Sequence, residues 1–134
     1  MNINDFIYHL LDYVKSLKLD YDIRIGSFDQ GEAIVILPVS GSTTIQEYMN
    51  GMVDVQLPFE ISIKSKSQEM AFNTLNHVIE HIHQMKDFLA VEDNDHSLIR
   101  VMIDQLPYFA KEQVAGYFIY QSRITVDLTI NKTK

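Results

Sequence analysis

Between Val53 and Ile63 every odd position is apolar: Val53, Val55, Leu57, Phe59, Ile61 and Ile63. The even positions carry Asp54, Gln56, Pro58, Glu60 and Ser62. A strict period of two over eleven residues cannot sit on a helix, whose faces recur every 3.6 residues. It requires an extended strand with one face against a core and the other turned to polar surroundings. Pro58 has no N–H to give to a ladder, so the expectation is an edge strand or a bulge at that point.

A second half-polar strand closes the chain. Phe118, Tyr120, Ile124, Val126, Leu128 and Ile130 alternate with Gln121, Arg123, Thr125, Asp127 and Thr129. Before it, Ile99, Val101 and Ile103 oppose Arg100, Met102 and Asp104. Two segments break this rhythm with helical spacing. Ile3, Phe6, Ile7, Leu10, Leu11, Val14 and Leu17 form one stripe. Phe72, Leu75, Ile79, Ile82 and Met85 or Leu89 form another, within a helix over about 67–88, where Ser65 and Gln68 resemble a capping box. A short strand is expected near 21–25, a turn over 26–31 and a strand over about 32–39. The stretch Thr44–Met52 reads either as a helical turn or as a hairpin tip. The order α-β-β-α-β-β predicts an α+β fold: a mainly antiparallel sheet of four to five strands with two helices packed on one face. No repeat or Pro/Ser linker divides residues 1–134, so one domain is expected, long enough to bury about two thirds of its unfolded surface.

Charge narrows the function. Eighteen acidic residues outweigh eleven Lys and Arg, giving −7, and the excess is shared by both halves of the chain. Without a basic cluster, tight binding to nucleic acid or anionic membrane by the lone chain is not expected. The longest wholly apolar run, Ala33–Leu37, falls far short of a bilayer span, and Asp5, His9 and Asp12 break up any leader-like segment. The expectation is a soluble intracellular protein. No cysteine is present, which removes disulfides, thiolate ligands and thiol nucleophiles.

The sharpest local motif is His77-Val78-Ile79-Glu80-His81. Histidines at i and i+4 share a helix face and can hold Zn²⁺ while the glutamate activates water, the inverted zincin pattern. A zinc hydrolase using His77, Glu80 and His81 is therefore a rival reading. It lacks a third ligand on a later helix, and the three residues also suit a solvated helix face. Glu92, Asp93 and Asp95 lack the spacing and glycine of a calcium loop. Ser40-Gly41-Ser42 makes neither a phosphate loop nor a nucleophile elbow. No catalytic residue, metal ligand set or cofactor is assigned.

Contact chemistry is more prominent. Thr44, Ile45, Tyr48, Met49 and Met52 place apolar groups among turn residues, and Tyr108 and Phe109 do the same ahead of the last strand. Met repacks easily and Tyr joins an apolar body to a polar tip, so both suit protein contacts. These residues serve either as a subunit interface or as a cap on the core.

The whole layout resembles the minor capsid or tail-terminator proteins of long-tailed bacteriophages. The resemblance rests on the amphipathic first helix, GEAIVILPVSGS, the strand ending FEISIKSKS, the helix QEMAFNTLNHVIEHI and the final YFIYQSRITVDLTI. It implies a non-enzymatic subunit of a ring, a hexamer in that family. Such a ring caps the tail tube in the virion, ends its polymerisation and docks to the head connector. The partners implied are further copies of the chain, the major tail tube protein and a head-connector or stopper protein. DNA passes through such a ring unbound, which a negative lumen favours. A head-completion or stopper ring protein, and a small adaptor domain binding one cellular partner, are the other non-enzymatic readings.

Overall fold

A computed structural model describes residues 3–26, 28, 31–39, 43–47, 49, 51–84, 96–112 and 116–131. Helix α1 (Ile3–Lys15) is followed by strands β1 (Asp22–Ile25), β2 (Ala33–Pro38), β3 (Thr43–Glu47) and β4 (Met52–Ser65). Helix α2 (Gln68–His83) then leads to β5 (His96–Glu112) and β6 (Phe118–Asn131). The fold is α+β, as the two periodicities require.

The sheet runs β1-β2-β4-β6-β5, with β3 also paired to β4. β2 and β3 share one side of β4: β2 covers Phe59–Lys64 and β3 covers Val53–Gln56. The sheet is therefore five strands wide at one end and four at the other. All pairs are antiparallel except β1–β2. Between the strands of that parallel pair, Gly26 (φ 117°) and Gly31 (φ 84°) occupy backbone space that residues with a Cβ rarely enter.

Both long strands keep the alternation read from the sequence. Val55 lies opposite Leu128, Leu57 opposite Val126 and Phe59 opposite Ile124, so these pairs share a face. Against that face pack Phe6, Leu10 and Val14 of α1 and Leu75, Val78, Ile79 and Ile82 of α2, in one continuous core. The Phe6 and Phe59 rings lie 5.6 Å apart, and the Tyr13 hydroxyl donates to the His81 carbonyl at 2.9 Å, tying the helices together. Burying these side chains contributes about 1.5–3 kcal/mol each relative to exposure.

Several local expectations change. β4 lies inside the sheet, not at an edge, and Pro58 is accommodated without a bulge in the β4–β6 ladder. The Pro58 carbonyl accepts from Val39 N–H at 3.1 Å, so the Pro58 backbone polar side faces the gap between β2 and β3. A strand residue points its N and C=O the same way, so the missing donor costs the β6 ladder nothing. The cap of α2 is Ser67, whose hydroxyl accepts from Met70 N–H, and not the expected Ser65–Gln68 box. Ser65 is saturated elsewhere: its hydroxyl donates to Glu32 and lies 2.9 Å from Tyr21 Oη and 3.1 Å from Ser67 N. In α2 the buried stripe is Ala71, Leu75, Val78, Ile79 and Ile82, while Phe72 stands at its margin, 43% exposed. The helix runs to His83 and the description to Gln84, so Met85 and Leu89 lie outside the described residues, as do Ser40–Ser42 and Glu92–Asp95.

Candidate functional site

With both helices on one face, the described residues leave the other face of the sheet without a covering layer. It is a mixed surface. Asp54, Gln56, Glu60 and Ser62 of β4 lie opposite Thr129, Asp127, Arg123 and Gln121 of β6. Arg100 Nε reaches Asp127 Oδ2 at 2.8 Å, and the aspartate is almost wholly buried while the arginine stays largely exposed. Lys64 is also buried, with its ammonium 4.9 Å from the Tyr117 ring and 5.7 Å from that of Phe28. Aromatic faces stabilise a cation that water does not reach. Beside it a shallow pocket of about 200 Å³ is lined by Phe28, Val35, Leu37, Glu60 and Gln121, among others.

Thr44 and Ile45 lie in β3, which settles the ambiguous stretch as the first arm of a hairpin with β4. Thr44 pairs with Val55, and the register shifts between Thr44 and Gln46, leaving Ile45 at the irregularity. Tyr48 lies outside the described residues. Met49 projects fully into solvent, and Met52 opens β4 opposite Asn131.

Tyr108 and Phe109 belong to β5, which runs on to Glu112. Being adjacent in a strand, they point to opposite faces. Tyr108 lies on the uncovered face, where its hydroxyl donates to Gln121, whose amide in turn donates to Glu60, each at 3.1 Å. Phe109 lies on the helix side, its ring 5.5 Å from Tyr120, which is 5.9 Å from Phe72. With exposed Leu106 and Met70 they give this end of the sheet several apolar groups in water.

The sequence-predicted contact residues thus form two groups. Met52 lies level with Asn131 and Tyr108 with Gln121, ten residues apart along β6. At about 3.3 Å per residue that is roughly 33 Å along the strand.

β5 lies at the edge of the sheet among the described residues, and it is poorly suited to strand addition. Its register against β6 shifts four times, and Pro107 interrupts the donors. Bulges, proline and a charge such as Lys111 all blunt an edge. The bulge near Gln105 is tied down by the Ser122 hydroxyl, which donates to its carbonyl at 2.6 Å. A partner at Leu106–Phe109 must therefore be met by side chains. Alternation alone could not reveal this, because each bulge resets which face the next residue takes.

His77, Glu80 and His81 lie on the outer side of α2. The imidazole rings lie with centroids 4.3 Å apart and planes tilted by 54°, but no third His, Cys, Asp or Glu joins them among the described residues.

No protein-family model matches this chain. No curated protein is significantly similar to it either. Within the described residues no helix is long and apolar enough to cross a membrane.

Proposed function

We propose that the chain is a structural subunit of a phage tail terminator, acting as a closed ring that caps the tail tube and joins it to the head. The observation that carries this reading is the separation of the two apolar groups. A ring of more than two subunits is built head to tail, so each copy needs two different surfaces, one for each neighbour. Met49 at the β3–β4 end and Leu106–Phe109 at the other end of the sheet are two such surfaces. The antiparallel sheet between them is a stiff spacer. A chain carrying −7 then repels DNA in the bore of the ring instead of retaining it.

Complementation of single variants tests the head-to-tail geometry. Met49→Ser and Phe109→Ser each remove one surface and leave the other, at about 1–3 kcal/mol per contact for an interface anchor. Native mass spectrometry, alone and with tail tube protein, should show rings for the wild type and small species for either variant. An equimolar mixture of the two variants has one good contact and should stop at a heterodimer. Rings from either variant, or no oligomer of the wild type even on tail tubes, overturns the reading. Capture by portal complexes and not by tail tubes moves the chain to the stopper role.

A further inference from the structure

We propose that His77 and His81 form a two-histidine clamp for a divalent transition-metal ion on the outer side of α2, independent of the assembly reading. His81 Nδ1 lies 2.9 Å from the His77 carbonyl oxygen. A carbonyl has no proton to give, so Nδ1 must donate, and the neutral ring then carries its lone pair on Nε2. Metal-binding histidines are commonly oriented this way, the second nitrogen donating to a backbone carbonyl. His81 therefore presents an aimed ligand atom to solvent before any ion arrives.

A second carbonyl, that of His81 itself, anchors the scaffold. The His81 backbone oxygen accepts from Tyr13 of α1 and from Gln84 N–H, so the last turn of α2 is held at both sides. His77 sits one turn back, exposed, with its ring centroid 4.3 Å from that of His81 and the planes at 54°. With metal–nitrogen bonds of about 2.0–2.1 Å, rings at that spacing meet an ion roughly at a right angle. That is the cis arrangement of tetragonal Cu(II) or Ni(II), and copper binds such nitrogen sites most tightly among the divalent first-row ions.

No third protein ligand joins the pair among the described residues, so water fills the other positions. The clamp is therefore a binding site and differs from a three-ligand hydrolytic centre, in which Glu80 would be essential. His83, two residues past His81, points away from the pair by helix geometry and serves as a control.

Titration of the full chain with Cu²⁺ alone, and separately with Ni²⁺ alone, tests the clamp by calorimetry, with electron paramagnetic resonance on the copper sample. One ion per chain is expected, bound more tightly for copper, with hyperfine structure from two nitrogens. His77→Gln and His81→Gln should each weaken binding at least tenfold and leave one nitrogen or none. His83→Gln and Glu80→Gln should stay within twofold of the wild type. All four sites are on the helix surface, and far-ultraviolet circular dichroism checks that each variant is folded. Wild-type binding without two nitrogens, or equal binding by the His77 and His81 variants, overturns the proposal, as does an absence of binding.

Discussion

Replacing Ile79 by alanine tests how the helices sit on the sheet. Ile79 is 2% exposed and packed in the core shared by α1, α2, β4 and β6. Truncation removes three buried carbons, worth about 2.4 kcal/mol at roughly 0.8 kcal/mol each. If the neighbours relax incompletely, each Å³ of void adds about 24 cal/mol, so a void of about 50 Å³ adds about 1.2 kcal/mol. The expected cost is thus about 2.4–3.6 kcal/mol, which for a domain of this size lowers Tm by about 10–15 °C. Phe72→Ala is the internal comparison, because periodicity alone gives both residues the same role. Phe72 is 43% exposed at the edge of the stripe, so its loss should cost only about 1–2 kcal/mol, ring contact included. Urea unfolding followed by circular dichroism measures both, with an unchanged slope showing that stability alone has changed. A cost below about 0.5 kcal/mol for Ile79→Ala, or a larger cost for Phe72→Ala, refutes this placement of α2.

Further outcomes follow from single contacts. Tyr13→Phe removes the hydroxyl that donates to the His81 carbonyl and should cost about 0.5–1.5 kcal/mol by urea unfolding. Burial raises the Tyr13 pKa, so this stabilisation is complete below the ordinary tyrosine range and fades as pH climbs through the raised value; Tyr13→Phe should flatten that alkaline loss. The Lys66 N–H, then the Ser65 hydroxyl and the Lys66 charge hold the Glu32 carboxyl below the usual carboxylate range. Its stabilisation is therefore present above the unfolded carboxylate pKa and lost as pH falls through the lowered folded value; Glu32→Gln should reduce the acid sensitivity of Tm, by a small amount because the group is exposed. Arg100→Ala leaves the buried Asp127 carboxylate, whose Oδ1 is already without a hydrogen-bond partner, uncompensated on both oxygens. That should cost about 1–3 kcal/mol, and restoration by Asp127→Asn in the same chain would confirm the cause.

What the sequence determined by itself was whatever one-sided burial writes into a short stretch of chain. The alternation of Val53–Ile63 and of Phe118–Ile130, and the stripes through Phe6–Val14 and Leu75–Ile82, name strands and helices because each residue's face depends only on its near neighbours. The α+β class and the shared helix face followed from them. Tertiary structure decided whatever depends on which distant segment lies alongside. Pro58 reads as an edge residue until β2 and β3 are found end to end on one side of β4, with the proline at their junction. The parallel β1–β2 pair has no local signature beyond two glycines. Ser65 and Ser67 are chemically equivalent as caps, and only the approach of Glu32 and Tyr21 assigns Ser65 elsewhere. The bulges of β5 decide that Tyr108 takes the uncovered face and Phe109 the helix side, at the far end of the sheet from Met49, because each extra residue shifts the register against β6. Composition named these as contact residues; their division into two separated surfaces is a property of the folded sheet, since pairing sets distances that sequence spacing does not encode.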